Sequence, residues 1–164
     1  MRKQVIARGR QEPSAVEPDW LDLEHIARVE VTSEEDAHPV ESALIPGAGS
    51  GWRAAESGEQ AIRLLFDAPQ RIRRVRLQFE EQTGGGRTQE FVLRWSPGGG
   101  QPYREIVRQQ YNFSPPDATS EVEDYAVELD GVAALELVIT PDIGGGLARA
   151  SLAQLRLAGK PAGP

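Results

Sequence analysis

Apolar and polar residues alternate with a period of two along most of the chain from residue 24 onward. The stretch RIRRVRLQF at 71–79 shows the pattern clearly, because Val75, Leu77 and Phe79 share one side and polar residues occupy the other. This period is typical of β-strands that bury one face and expose the other. We predict strands at 26–32, 61–66, 72–79, 88–95, 105–111, 122–129, 135–140 and 151–157.

Short segments with Gly, Pro, Ser or Asp separate these strands, and no long helical stripe is visible. About eight such strands are typical of an all-β jelly-roll β-sandwich with antiparallel strands. Residues 67–70 (DAPQ) predict a tight turn between the second and third strands. Arg73 breaks the alternation and predicts a sheet edge or a bulge. We expect an irregular lead-in at 1–23, the sandwich at 24–159 and a frayed tail at 160–164.

The direction of successive strands sorts the loops between the two ends of such a sandwich. If the strands alternate in direction, the connections within 33–60, 80–88, 112–121 and 141–149 share one end, which we call the rim. The glycine triplet 98–100 and the turn at Ala68 then lie at the opposite end. Because long irregular loops on a rigid scaffold commonly carry binding surfaces, the rim is the predicted binding end.

Three glycine triplets, at 84–86, 98–100 and 144–146, raise the question of a phosphate-binding loop. A P-loop requires a Lys and then a Ser or Thr directly after its glycines, and it opens a helix. Here Arg87, Gln101 and Leu147 follow the triplets, and each triplet lies between predicted strands. The triplets therefore indicate connections in a β-sandwich and not a nucleotide site.

The charge balance narrows the classes of partner. The chain carries 25 acidic and 18 basic side chains, a formal net charge of -7. Such a field repels polyanions, so we expect neither nucleic acid nor an anionic membrane as partner. No segment has the apolar length of a signal peptide or a membrane span, and we expect a cytoplasmic protein.

No pattern in the sequence indicates catalysis or a metal centre. The chain has no cysteine, no GxSxG and no SxxK, so a covalent nucleophile has no signature. Adjacent acids such as Glu80 and Glu81 point apart in an extended chain and cannot flank one bond. The two histidines, His25 and His38, show no metal-binding spacing. We expect no enzyme and no cofactor.

The order of motifs resembles a known family over 24–159. Within 31–79 the chain presents a Trp, a Gly, a strand, a Pro turn and an Ile-x-x-Val-x-Leu strand. The stretch GGRTQEFVLRWSPGG and the closing SLAQLRLAG continue the pattern. In this order the chain resembles the discoidin, or coagulation factor 5/8 C-type, family of galactose-binding-like domains. The matching positions are Trp52, Gly58, 60–66, Pro69, 72–77, Gly86, Arg87, Phe91, Ser96 and Gly98 or Gly99.

This resemblance implies a jelly-roll sandwich that binds ligands through loops at one end. Members of the family are mostly noncatalytic modules for glycans, lipid headgroups or proteins, and some relatives are adaptor subunits of intracellular assemblies. Many carbohydrate-binding members hold calcium with an Asp-Gly-rich loop before the Trp and a Glu in the last strand. Here the loop reads ESALIPGAGSGW and the last-strand position is Gln154, so the carboxylates that calcium prefers are too few. We expect no calcium of the family type.

The resemblance and the rim together place ligand contacts in four loops, 47–53, 80–88, 111–119 and 142–149. The residues we predict to bind a ligand are Arg87, Gln82, Glu81, Tyr111, Phe113, Trp52, Arg53 and Arg149.

Several of these residues have an alternative structural role. Arg87 is either a guanidinium fork for sugar hydroxyls or a carboxylate, or an anchor bonded to loop carbonyls. Trp52 either stacks on a pyranose or packs beneath the loops. Tyr111 and Phe113 are the candidates for an exposed aromatic ring.

Two functions remain open from the sequence. The first is a noncatalytic module that binds a saccharide at the rim. The second is an intracellular protein-interaction or adaptor domain with the same fold, which predicts a contiguous apolar or Arg-rich patch on one face.

Overall fold

The computed structural model describes residues 19–81 and 85–159, and these residues form two single-turn helices and eight strands. The helices are too short to cross a membrane. All pairings between the strands are antiparallel, which confirms the predicted all-β class. In chain order the elements are α1 Leu23–Ile26, β1 Ala27–Val31, α2 Glu41–Leu44, β2 Trp52–Ser57, β3 Gln60–Glu80, β4 Arg87–Ser96, β5 Arg104–Phe113, β6 Ser120–Thr140, β7 Arg149–Leu152 and β8 Gln154–Ala158.

Strands β3 and β6 are each 21 residues long and pair with one another through most of their length. The turn predicted at 67–70 is therefore wrong, because these residues continue β3. The register shifts between Leu65 and Gln70, where β3 bends, and again on both sides of Ile72. Each shift resets the alternation of inward and outward residues, so one bent strand has the sequence pattern of two. The strands predicted at 122–129 and 135–140 likewise form the single strand β6.

The bends divide the strands between two layers. One layer contains β1, the first half of β3, the second half of β6, β4 and β5, and the other contains the first half of β6, the second half of β3, and β8. The rings of Phe79 and Phe91 stack between the layers with their centroids 5.3 Å apart. The inward positions predicted at Val75, Leu77 and Phe79 are buried.

The rim also contains a small second sheet, in which β2 pairs with β7. The segment predicted as one strand at 151–157 is divided into β7 and β8, with Ala153 between them. Because β7 pairs with β2 and β8 pairs with β3, this break lets the chain pass from the rim into a layer.

Both ends of β3 reach the rim, because the strand folds back at its bend. One cavity is lined by the segment between β1 and β3, the loop that follows β3 and the β6–β7 loop. Gly98 lies against Ala133, where β6 bends at the opposite end. The predicted sorting of the loops between the two ends is confirmed.

The start of the described chain packs onto the last strand. Trp20 bridges to Ala158, the Leu21 amide donates to the Leu157 carbonyl at 2.7 Å, and Leu23 is buried. The rest of the predicted lead-in and the predicted tail lie outside the described residues.

Arg73 occupies the irregular register between Ile72 and Arg74, as predicted from its break in the alternation. Its guanidinium donates to the Leu129 carbonyl at 3.0 Å and to Asp130 at 2.9 Å. Arg74 on the outer face pairs with Asp124 at 2.7 Å. These arginines therefore pair with acids of the neighbouring strand.

Candidate ligand-binding site

An open cavity of about 450 Å³ lies at the rim of the sandwich. Three connections enclose it: the segment between β1 and β3, the β3–β4 loop and the β6–β7 loop. Its volume falls in the range of small-molecule sites in proteins. Apart from Asp142, the charged residues that line it form two groups, which we call the floor and the wall.

The floor consists of Glu81 and Arg87. The two side chains are almost fully buried, 9% and 6% exposed, and their ion pair measures 2.8 Å from Nη2 to Oε2. Arg87 also donates through Nη1 to the Pro141 carbonyl, and its guanidinium lies 4.8 Å from the centre of the Phe113 ring. One side chain thereby ties the β3–β4 loop to the β6–β7 loop. Arg87 is thus the anchoring arginine of the two alternatives.

The wall consists of Glu35, Arg53 and Arg149. Arg149 Nη1 donates to Glu35 Oε2 at 2.8 Å, and Arg53 Nε lies 3.8 Å from Glu35 Oε1. The antiparallel pairing of β2 with β7 brings the two arginines together, and the Glu35 amide donates to the Arg53 carbonyl at 2.9 Å. Both arginine side chains are more than one third exposed. Because a guanidinium has five N–H donors, the wall keeps donors for a ligand.

The β6–β7 loop lines another side of the cavity and contributes an acidic and an apolar side chain, Asp142 and Leu147. Asp142 Oδ1 accepts a hydrogen bond from the Gly144 amide at 3.0 Å. Gly145 and Gly146 have φ values of +89° and +96°, which glycine adopts without the strain that a side chain would cause. The loop can therefore turn tightly and present Leu147, whose side chain is 88% exposed.

Comparison with known proteins gives no match by sequence and clear matches by structure. Neither models of protein families nor curated proteins match this chain. A family 32 carbohydrate-binding module of Clostridium perfringens NanJ, in complex with galactose, aligns with a TM-score of 0.61 at 13% identity. The alignment covers 84% of this chain and 96% of that one. The fold is galactose-binding-domain-like.

Two further solved structures show the same fold. CpGH89CBM32-5 from Clostridium perfringens, in complex with GalNAc-β-1,3-galactose, has a TM-score of 0.61 at 19% identity, covering 85% of this chain and 99% of that one. Chitosan-binding module 1 of a chitosanase/glucanase from Paenibacillus sp. IK-5 has a TM-score of 0.59 at 15% identity, with coverage of 85% and 99%.

Within this galactose-binding-domain-like fold, the predicted aromatic contacts need correction. Trp52 is 2% exposed and its indole N–H donates to the Ser33 carbonyl at 2.9 Å, so it packs beneath the loops. Phe113 is equally buried, under Arg87. Tyr111 is half-buried, and its hydroxyl donates to the Ser120 carbonyl at 2.8 Å. Among the described residues, no aromatic side chain lines the cavity.

Sequence reasoning located part of the cavity. The predicted residues Glu81, Arg87, Arg53 and Arg149 meet there, whereas Gln82 lies outside the described residues. Glu35, Asp142 and Leu147 also line the cavity and are not among the residues that the sequence predicts. All three lie in loops assigned to the rim. Whether they share one cavity depends on which loops contact each other in the fold, and the local spacing of residues does not encode those contacts.

The carboxylate side chains expected at a calcium site of the family type do not come together in the part of the chain that the structure describes. In residues 19–81 and 85–159, three metal-ligating side chains converge only at Asp22, Glu24 and His25, which are exposed near α1. There the hydrogen bond and charge of Asp22 raise the pKa of His25. Glu41 and Gln154 belong to no such group in this part of the chain, so the residues do not fit a calcium site of the family type.

Proposed function

We propose that this chain is a noncatalytic carbohydrate-binding module that takes a saccharide into the rim cavity. The observation that carries the proposal is the wall, where two partly exposed arginines share one carboxylate inside a cavity of about 450 Å³. A saccharide presents neighbouring hydroxyls that both donate and accept hydrogen bonds. The guanidinium donors of Arg53 and Arg149 and the acceptor oxygens of Glu35 match this pattern.

Apolar contact in the cavity comes from the β6–β7 loop. The exposed side chain of Leu147 lines the cavity and offers a surface for the C–H groups of a sugar ring. Asp142 supplies a further acceptor, because only its Oδ1 is used by the Gly144 amide. The floor holds both flanking loops in place while its own charges remain paired.

The comparisons support a saccharide as the ligand. The similar structures include modules in complex with galactose and with GalNAc-β-1,3-galactose, and a chitosan-binding module. The resemblance of the sequence to discoidin-type domains points to the same end of the sandwich, because ligands of that family bind at the loops.

The missing aromatic ring lowers the affinity we expect. Without a stacking platform among the described lining residues, binding rests on hydrogen bonds at an open, hydrated site and on one leucine. Such hydrogen bonds contribute little net free energy, so we expect a Kd on the order of 1 mM for a monosaccharide.

A noncatalytic role agrees with the contacts of the carboxylates in the cavity, each of which has a partner. Glu81 is paired with Arg87, Glu35 with Arg149, and Asp142 caps the Gly144 amide. Each of these carboxylates thus has a partner, and among the described lining residues no two carboxylates without partners are left to act as an acid and a base.

One observation favours the adaptor function as a second candidate. Ile143 and Leu147, both on the β6–β7 loop, are large apolar side chains that are more than half exposed. Exposed apolar residues beside a polar cavity also suit a protein partner. On this alternative the domain binds its partner through the loop, and removal of Ile143 weakens the complex. The cytoplasmic location expected from the sequence stays a prediction.

The test is calorimetric or NMR titration of the full chain with a saccharide panel that includes galactose, N-acetylgalactosamine, uronic acids and chitosan oligomers. We expect at least one saccharide to bind, and Arg149→Ala to abolish that binding. Arg108→Ala is the matched control, because Arg108 pairs with Glu90 and Glu105 on a strand face away from the cavity. Absence of binding to the entire panel would refute the carbohydrate function.

A further inference from the structure

Two buried polar side chains stand out below the cavity. Glu121 is 3% exposed and neither of its carboxylate oxygens has a hydrogen-bond partner, and the buried Nε2 of Gln89 also lacks one. In residues 19–81 and 85–159 these are the only buried side-chain nitrogen or oxygen atoms left unpaired. An unpaired buried carboxylate is costly, so its ionisation state needs an explanation.

Glu121 lies where the edge strands of the two layers meet. We call Tyr111, Phe113, Thr119, Ser120 and Glu121 the β5–β6 seam. The Tyr111 hydroxyl on β5 donates a hydrogen bond across this seam to the Ser120 carbonyl on β6, at 2.8 Å.

The seam supports the floor of the cavity directly. The Glu81 amide donates to the Thr119 carbonyl at 2.7 Å, and the guanidinium of Arg87 rests on the Phe113 ring at 4.8 Å. Glu81 also follows the stretch of β3 that pairs with the start of β6. Movement of the seam would therefore displace both members of the Glu81–Arg87 pair.

The surroundings of Glu121 favour its neutral form. Its register partner on β3 is Phe79, whose ring stacks on Phe91 of β4, and Tyr111 of β5 bonds to the adjacent Ser120, so these neighbours are uncharged at neutral pH. The cation on this face of β4, Arg87, is already engaged by Glu81 and Pro141.

The ionisable neighbours on its own strand act in the same direction. Burial raises the pKa of Glu121 to about 8, and the nearby charge of Glu123 acts in the same direction. A carboxylate disfavours ionisation of a second carboxylate close to it, so both causes favour a proton on Glu121. The Tyr125 hydroxyl donates to Glu123 at 2.8 Å, and burial together with Glu123 raises the pKa of Tyr125 as well.

We propose that a proton held on Glu121 keeps the β5–β6 seam closed, and that loss of this proton opens the seam and disturbs the cavity floor above it. The effect on ligand binding rests on the proposed carbohydrate function, whereas the effect on the seam does not. The cavity would then bind its ligand less well in alkaline solution.

The pH window follows from proton linkage. In the open seam Glu121 is hydrated and its pKa returns toward the ordinary value of 4.5, whereas in the closed seam it is about 8. Between these values the closed form holds a proton that the open form has lost. Opening therefore becomes more favourable, by up to roughly tenfold per pH unit, as the pH rises from about 5 to 8, and levels off above that.

Amide hydrogen exchange on the full chain tests this without any saccharide. The probe is the Glu81 amide, which donates to the carbonyl of the seam residue Thr119, with exchange corrected for the intrinsic base-catalysed rate. In the wild type we expect its protection to fall between pH 5 and 8 and then to level off. In Glu121→Gln, which is neutral and of the same shape, protection should be independent of pH. Glu128→Gln, an exposed acid on the same strand, should behave as the wild type.

The proposal would be overturned if protection of the Glu81 amide in the wild type did not change with pH. It would also be overturned if protection changed with pH in the same way in Glu121→Gln. If Glu121→Gln does not fold, ¹³C NMR titration of the Glu121 carboxyl in the wild type decides, since an apparent pKa below 6 would also overturn it. Titration with galactose at pH 6 and pH 9 tests the effect of the seam on ligand binding. We expect the affinity to be at least about threefold weaker at pH 9 than at pH 6. Absence of galactose binding at both values would count against the proposed function alone.

Discussion

The floor and the wall of the cavity contain the same Arg–Glu ion pair at the same distance. Arg87 Nη2 lies 2.8 Å from Glu81 Oε2, and Arg149 Nη1 lies 2.8 Å from Glu35 Oε2. The side chains of the first pair are 6% and 9% exposed, and those of the second are 43% and 29% exposed. The contact geometry does not distinguish the two pairs, but their solvation does.

Burial changes the energetic role of such a pair. Breaking a buried ion pair leaves one charge desolvated and unpaired, which is strongly destabilising, whereas an exposed pair contributes little to stability. The floor is therefore structural, and the wall is free to exchange Glu35 contacts for contacts with a ligand. The predictions below test this division.

The largest effect is expected in the floor. Arg87→Ala leaves Glu81 buried without its partner and removes the bond to the Pro141 carbonyl, so the free energy of unfolding should fall by about 3–5 kcal/mol. Chemical denaturation measures this loss. A change below 1 kcal/mol would place Arg87 with the exposed pairs and erase the contrast with the wall.

The next largest effect is a dependence of stability on pH, caused by Glu121 in the seam that supports the floor. Because the folded chain holds a proton on Glu121 that the unfolded chain has lost, stability should fall as the pH rises from about 5 to 8, by up to about 4 kcal/mol. Glu121→Gln should remove that part of the pH dependence. Denaturation at pH 5, 6.5 and 8 makes the comparison, and equal slopes in both proteins would contradict it.

Loss of an arginine from the wall should lower saccharide affinity and leave stability nearly unchanged, in contrast to loss of Arg87 from the floor. Arg149→Ala should change the stability by less than about 1 kcal/mol, because its pair with Glu35 is exposed. Saccharide affinity should fall at least about tenfold, or about 1.4 kcal/mol, because ligand donors are lost. Denaturation and titration of one preparation measure both. A large loss of stability with unchanged affinity would reverse the assignment of floor and wall.

The smallest effect is expected at the loop. Leu147→Ala removes part of one exposed apolar side chain, so stability should stay within about 0.5 kcal/mol. Affinity should fall about threefold, the loss that corresponds to roughly 25 Å² of apolar contact. Ile143→Ala is the companion variant, because it tests the adaptor alternative on the same loop.

The strands and their inward faces could be predicted because the alternation of the sequence is itself the cause of one-sided burial. Leu77 and Phe91 were found in this way. The bend of β3 could not be predicted, because DAPQ has turn chemistry and a register shift interrupts the alternation as a turn would. The sequence consequently predicts four short strands where the structure has two strands of 21 residues.

In the candidate site, the parity of the strands predicted which loops lie together at one end, but not the contacts between them. The wall depends on the pairing of β2 with β7, about one hundred residues apart, and no local pattern reports that pairing. The burial of Phe113 was within reach, since it continues the inward face of Tyr111 by two residues. The same extension from Tyr125 back through Glu123 would have found Glu121.

The most direct test of the carbohydrate-binding cavity is an NMR titration that maps amide shifts on the full chain while galactose is added. We predict that the largest shifts fall on Arg53, Arg149 and the loop at 142–148, and that Arg149→Ala removes them while Arg108→Ala keeps them. Shifts confined to residues outside the rim, or shifts that persist unchanged in Arg149→Ala, would contradict the assignment of the cavity as the ligand site.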